Sequence, residues 1–350
     1  MALETSVLND SVIRQLLKEH YNLVVDEISK MSLGTANCFR IISERKNYFL
    51  KEFQSGFSKD DLDREAKLVN FLDSHHFPTA QILLTNDQNT SITYQEHLLC
   101  LQEYIEGTTY GNNQLPHSLL MQAAELLGQL HTLLKDYPLP VEMDVPWLEA
   151  FSAENCAAQY DNLLHAAEQN PSDPNYERIK ADLLYKKELA YRIAEYKKYY
   201  NGITYNATHG DYTEFQYICD GDRIKAVIDF SAAKTLPVVW EIMRSYIQSC
   251  GACKDGNNLD VQDFCCYVRS YMKYAPLTKA DLQAMPYVYL HQLARSQYGY
   301  KQYLIKKSEN KDDLLQFAFW RTDICREIEA KASEISRELL NVILFSNKNI

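Results

Sequence analysis

The chain has 350 residues, 46% hydrophobic and 24% charged, a balance that fits a globular protein of one large or two modest domains. A formal net charge of -11 without a basic patch argues against a nucleic-acid partner, since neutralising phosphates takes clustered Lys and Arg. No apolar stretch approaches the roughly 20 residues of a membrane span, so no membrane partner is expected. The nine cysteines are odd in number and irregularly spaced, which suggests a reducing compartment rather than a disulfide framework. Cys250-Gly251-Ala252-Cys253 has redox or zinc spacing but no second pair to complete a site. The opening MALETSVLND lacks a basic start and an apolar run, so a cytoplasmic protein is expected.

Asn9 to Tyr21 carries Val12, Leu16 and Leu17 at helical spacing, with Asn9, Asp10 or Ser11 available as an N-cap, and predicts a leading helix. Leu23 to Lys30, Cys38 to Ser43 and Tyr48 to Phe53 read as three strands of a meander, joined by turn-rich segments at 32–37 and 44–47. Gly34 in the first connection permits backbone N–H groups to approach a phosphate; a tight turn is the plainer reading. Lys51, among apolar neighbours on the third strand, is either a solvated residue or a cation that grips phosphates. The discriminator is an acid on the next helix. Asp60 to Ser74 supplies that helix, with Leu62, Ala66, Val69 and Leu72 as its buried stripe, and it carries Glu65. Pro78 opens an extended segment, and Ser91 to Gln95 and His97 to Gly107 read as further strands.

From Ser118 the character changes to helix, with a stripe from Leu119 to Leu134 in which His131 reads as a core histidine. Another long helix is predicted over Tyr176 to Tyr200. Phe215 to Cys219 and Ile224 to Phe230 then flank Asp220-Gly221-Asp222, a hairpin signal. Asp211 precedes the first of these runs and Asp229 ends the second. Either acid alone suits a turn; as a pair held by a hairpin they suggest a metal-assisted site.

His209-Gly210-Asp211, followed by Gln216 and then Ile228-Asp229-Phe230, resembles the catalytic segment of the aminoglycoside phosphotransferase and choline kinase superfamily, small-molecule relatives of the protein kinases. The family pattern is His-Gly-Asp, a short spacer, Asn, and further on a hydrophobic-Asp-aromatic triplet. Only the Asn is replaced here, by Gln216.

The resemblance implies an α+β, bilobal, protein-kinase-like fold. Residues 1–105 would form a small antiparallel-sheet lobe that binds nucleotide. Residues 106–350 would form a large, mostly helical lobe with the catalytic hairpin and an acceptor pocket. It implies ATP and Mg²⁺ as cofactors and a small-molecule hydroxyl as acceptor, with aminoglycoside-, choline-, homoserine- and sugar-like compounds all compatible. Asp211 would take the hydroxyl proton, and Asp229 with Gln216 would hold the metal. Lys51, oriented by Glu65, would hold the phosphates under the Gly34 turn, while the carbonyl of Glu103 and the N–H of Ile105 would face adenine. Glu241 would support the catalytic loop from behind, and the C-terminal cluster that includes Tyr287, Tyr289, Arg295, Tyr298, Tyr300, Trp320 and Arg321 would border the acceptor pocket. The acidic balance is compatible with a cationic acceptor. Gln216 keeps a second reading open, a nucleotide- or ligand-binding pseudokinase with weak or no transfer activity.

Overall fold

A computed structural model describes residues 4–31, 36–111, 114–139, 148 and 151–346. It divides into two units, Met1–Thr109 with Gln216–Ala233, and Tyr110–Phe215 with Lys234–Ile350. The architecture is α+β, with an antiparallel sheet from the N-terminal strands and a mostly helical remainder.

The first unit begins with α1 (Asp10–Tyr21), where the Asn9 side chain accepts from the Val12 N–H at 3.1 Å and so satisfies one of the free donors of the first turn. Strands β1 (Glu27–Met31), β2 (Asn37–Ser43), β3 (Lys46–Glu52), β4 (Ile82–Leu83), β5 (Ile92–Tyr94) and β6 (His97–Glu103) pair antiparallel in the order β1-β2-β3-β6-β4, with β5 also on β6. The first strand starts later than the expected Leu23. Asn22 adopts a left-handed conformation (φ 56°) and the Leu23 N–H bonds the Leu17 carbonyl at 3.2 Å, so these residues close the helix instead.

Side-chain alternation gives the sheet two buried faces. One packs Phe39, Ile41, Leu50 and Leu101 with Leu16 and Leu17 of α1. The other packs Phe53, Leu98 and Cys100 with Leu62 and Ala66 of α2 (Lys59–Ser74). Lys51 stands next to Leu50 and opposite Cys100 in register, which sets it on the α2 face.

The predicted hairpin forms from Tyr217–Asp220 and Arg223–Val227, with Gly221 at φ 60°. It groups with the sheet, not with the helical remainder where the sequence reading set it. Thr108 and Cys219 exchange both backbone hydrogen bonds at 2.7 and 2.9 Å, and the Val227 N–H reaches the Pro78 carbonyl at 3.0 Å. The approach is close enough that a Cβ on Gly107 would lie 2.6 Å from the Cys219 carbonyl oxygen, so the position demands glycine.

The second unit contains α3 (His117–Leu133), α4 (Ala153–Glu168), α5 (Tyr176–Tyr196), α6 (Val238–Ser249), α7 (Gly251–Gly256), α8 (Val261–Met272), α9 (Lys279–Arg295), α10 (Tyr298–Lys301) and α11 (Lys311–Ser346). Buried on nearly all sides, α9 packs against α11, α6 and α5, while α3 packs on α8. A short antiparallel pair, Tyr205–Thr208 with Lys234–Pro237, leads into the His-Gly-Asp segment on one side and into α6 on the other. None of the described helices is long and apolar enough to cross a membrane.

Candidate active site

The strand Tyr205–Thr208 ends where His209-Gly210-Asp211 turns, with Gly210 at φ 83°. The loop is tied to α6 through Glu241, which is 1% exposed and accepts from the His209 N–H at 3.0 Å and the Gly210 N–H at 2.5 Å. His131 of α3 donates to the same carboxylate from Nε2 at 2.9 Å, and its Nδ1 meets the Tyr271 hydroxyl at 2.8 Å. Burial pushes the Glu241 carboxyl up, but the bonds and charge of His131, His209 and Gly210 outweigh it and hold the group below its usual range. A buried anion is tolerated here because each oxygen is satisfied. The buried His209 ring accepts from the Asp211 N–H through Nδ1 at 3.3 Å, which fixes the local backbone.

Asp211 itself is half-exposed, and its Oδ1 accepts from Arg244 Nη2 at 2.5 Å. Arg244 follows Glu241 by one turn of α6, so a single helix braces the loop backbone and holds its carboxylate. A cleft of about 470 Å³ opens here, bordered by Asp211, Phe215, Arg244, Lys254, Asp313 and Trp320 among others.

In the first unit, Lys51 Nζ lies 3.2 Å from Asp229 Oδ1, with the lysine side chain only 14% exposed. Burial alone would lower the lysine's pKa, but Asp229 and Glu65 more than offset it and keep the ammonium charged. Asp229 adopts a left-handed conformation (φ 64°), and its Oδ1 also accepts from the Ser231 hydroxyl at 2.8 Å. Glu65, on α2, makes no ion pair with Lys51 within 4.0 Å among the described residues; it attracts the ammonium through space and accepts from the Phe230 N–H. Burial pushes its carboxyl up to about 7 against the pull of Lys51, with the Asp229 charge adding to the rise. The expected Lys51–Glu65 pairing is therefore replaced by direct contact with Asp229. The Gln216 carbonyl accepts from the Ile228 N–H at 3.0 Å, which locks its backbone into the hairpin.

A family model described as the phosphotransferase enzyme family matches residues 27–252, more than half of the chain. The chain belongs to the phosphotransferase enzyme family. No curated protein matches it. Among solved structures, a spectinomycin phosphotransferase in complex with ADP and spectinomycin is 16% identical with a TM-score of 0.62, covering 94% of this chain and 99% of that one. An amicoumacin kinase in complex with AMP-PNP and Ca²⁺ is 12% identical with a TM-score of 0.62, covering 91% and 94%. An ethanolamine kinase from Plasmodium vivax is 13% identical with a TM-score of 0.58, covering 91% and 89%. At these identities the likeness speaks for the phosphotransferase fold.

The remaining expected positions of this phosphotransferase-family chain fall as follows. Glu103 ends β6 with its N–H bonded to the Gln81 carbonyl at 2.8 Å. Ile105 follows the strand, and its N–H has no hydrogen-bond partner among the described residues. Gly34 lies outside the described residues. Of the C-terminal cluster, Tyr287, Tyr289 and Tyr300 are buried packing residues and Tyr298 is exposed, whereas Trp320 borders the cleft beside Asp211. Arg295 and Arg321 border a second cavity. Arg244 was missed by the sequence reading, because an arginine in an amphipathic helix carries no local mark of the acid it will meet. The nine cysteines are all free thiols, and no cluster of metal-ligating His, Cys, Asp and Glu occurs among the described residues.

Proposed function

We propose that the chain is an ATP-dependent phosphotransferase that phosphorylates a hydroxyl of a small molecule, with Asp211 as the group that receives the hydroxyl proton. The observation that carries this reading is the presentation of Asp211 on a loop braced by a buried Glu241, with Arg244 on the carboxylate and an open cleft beside it. Proton removal needs a half-exposed carboxylate whose orientation is fixed, and these contacts supply one.

Lys51 would grip the nucleotide phosphates; its charge is secured by Asp229 and Glu65. The donors Asp229 and Gln216 suit Mg²⁺, a hard cation that takes one or two protein oxygens together with substrate phosphates rather than a full protein cage. When bound, Mg²⁺ neutralises the charge that develops on the transferred phosphoryl group. The backbone around Glu103 and Ile105 would read adenine, with the Ile105 N–H, which has no partner among the described residues, as donor.

Gln216 supports a second reading, a pseudokinase that binds nucleotide without transfer. Its extra methylene moves the amide oxygen outward, and Mg²⁺ tolerates only distances of about 2.0 to 2.1 Å. Ser231, two residues after Asp229, offers a hydroxyl and no further carboxylate oxygen for a metal. Thermal melting with ATP, with and without Mg²⁺, separates the readings. A ligand at 100 times its dissociation constant stabilises by roughly 2.7 kcal/mol. A Mg²⁺-enhanced ATP shift that Asp229→Ala abolishes supports the kinase. A shift that becomes metal-dependent only in Gln216→Asn supports the pseudokinase.

A further inference from the structure

Around α6 the second unit gathers cations beyond Arg244, which holds Asp211. Trp240 borders, with Gln292, Arg295, Ser296 and Arg321, a cavity of about 350 Å³, within the range of small-ligand pockets. This wall holds two guanidinium groups, an indole, an amide and a hydroxyl, and none of the described residues on it is an acid. Arg321 forms no ion pair among the described residues. Its Nε, the Trp240 indole Nε1 and Arg244 Nη1 are buried donors with no hydrogen-bond partner among the described residues. Gln292 Oε1 is likewise unpartnered, and exchange of its amide oxygen and nitrogen would present another donor. Buried donors of this kind call for an acceptor.

The electrostatics agree. Burial first, and then the like charge of Arg244, push the Arg321 guanidinium below its usual range, although Tyr289 opposes this. Burial lowers Lys254 as well; Glu214 offsets part of that, and Arg244 and Arg321 add to it. Aromatic faces back three of these cations: Trp240 at 5.6 Å from Arg244, Trp320 at 4.7 Å from Lys254 and Phe317 at 5.5 Å from Arg321. An incoming cation would add to this crowding, and an oxyanion would relieve it. The overall charge of -11 points the other way, but charges beyond a Debye length of about 8 Å are screened, so the local wall decides. Arg244 also links the cavity to the reaction: it touches Trp240 on one side and donates to Asp211 on the other.

We propose that the acceptor carries an oxyanion, a carboxylate or phosphate ester, besides the hydroxyl to be phosphorylated, and that this cavity holds it on Arg321, Arg295 and the Trp240 indole N–H. The assignment of the bound anion as acceptor rests on the phosphotransferase reading above; the anion site itself does not. A fork of N–H donors against planar or tetrahedral oxygens is the recognition that arginine performs best.

Calorimetric titration of the full chain without nucleotide tests it, with gluconate and glycerol 3-phosphate as anionic probes, glycerol as neutral and ethanolamine as cationic. An anion is expected to bind where glycerol and ethanolamine do not, and the better of the two anions tells carboxylate from phosphate. Arg321→Met should weaken that binding roughly 10- to 100-fold, the loss of charged hydrogen bonds. Arg295→Ala, at an exposed position, should weaken it several-fold, and serves if Arg321→Met does not fold. The ATP-induced melting shift, measured on the same samples, reports on the kinase reading separately. Anion binding without any ATP shift would leave the site standing and remove the kinase. Absence of anion binding, preference for ethanolamine or glycerol, or equal affinity in both variants would overturn the proposal.

Discussion

Arg244 and Asp211 are joined by a hydrogen bond of 2.5 Å between Nη2 and Oδ1, and the loop that carries Asp211 is fastened to the helix that carries Arg244 by Glu241. The acid's position is thus set twice, once through its backbone and once through its side chain. Arg244→Met should remove the second constraint and leave the first. Turnover at saturating ATP, followed by ADP release, is expected to fall roughly 10- to 100-fold, the scale of a misaligned catalytic group. Asp211→Asn, which removes the base, should cost roughly 10²- to 10⁴-fold. A variant Arg244→Met with full turnover would mean that the guanidinium does not orient the acid.

Glu241→Gln tests the brace. The carboxylate serves three donors in a buried site, so the amide leaves one N–H facing another donor, and urea titration at pH 7 should show a loss on the order of 3 kcal/mol. Its folded pKa is held below the ordinary glutamate value of 4.5. The stabilisation is therefore present above 4.5 and is lost as pH falls through the folded value. The deficit of the variant should accordingly be full at pH 7 and shrink in acid.

Glu65 behaves in the opposite sense. Its carboxyl is raised from 4.5 to about 7, so the folded state holds the proton more tightly than the unfolded chain. Stability from this group is full below pH 4.5 and declines as pH rises through 7, by up to ~3 kcal/mol. Glu65→Gln should flatten the stability profile between those limits and match or exceed the wild type at pH 8. Parallel profiles for the two proteins would show that Glu65 does not titrate there.

Gly128 sits where α3 meets α8, and an added Cβ would run into the Tyr271 carbonyl oxygen and lie 3.2 Å from Tyr274 Cβ. Backbone cannot yield as a flexible side chain can. Gly128→Ala should cost roughly 1–3 kcal/mol despite the better helix propensity of alanine. Calorimetric melting measures it, and an unchanged or raised midpoint would contradict the close approach.

Much of the fold was legible because its signals are local. The Asp220-Gly221-Asp222 turn, the stripe of α2 and the apolar face of α3 depend on residues a few positions apart. The loop His209-Gly210-Asp211 was legible as a motif, and Glu241 as its support. What the sequence hid is tertiary. Lys51 meets Asp229, which is 178 positions away, rather than the nearer Glu65, because contact is decided by how the hairpin joins the sheet. The cations around Trp240 come from α6, α9 and α11, each set by the packing of helices far apart in sequence.

The attachment of Gln216–Ala233 to the N-terminal sheet has a consequence for biosynthesis. The partners that Thr108 and Pro78 bond lie at Cys219 and Val227, so the sheet unit lacks its last hairpin until the ribosome has passed Ala233. At roughly 5–20 residues per second, the chain between Thr109 and that point takes roughly 6 to 25 s to appear. During that interval the strand edge at Thr108 is open to wrong partners. The two units are interleaved along the gene, so neither can be transplanted as one uninterrupted cassette.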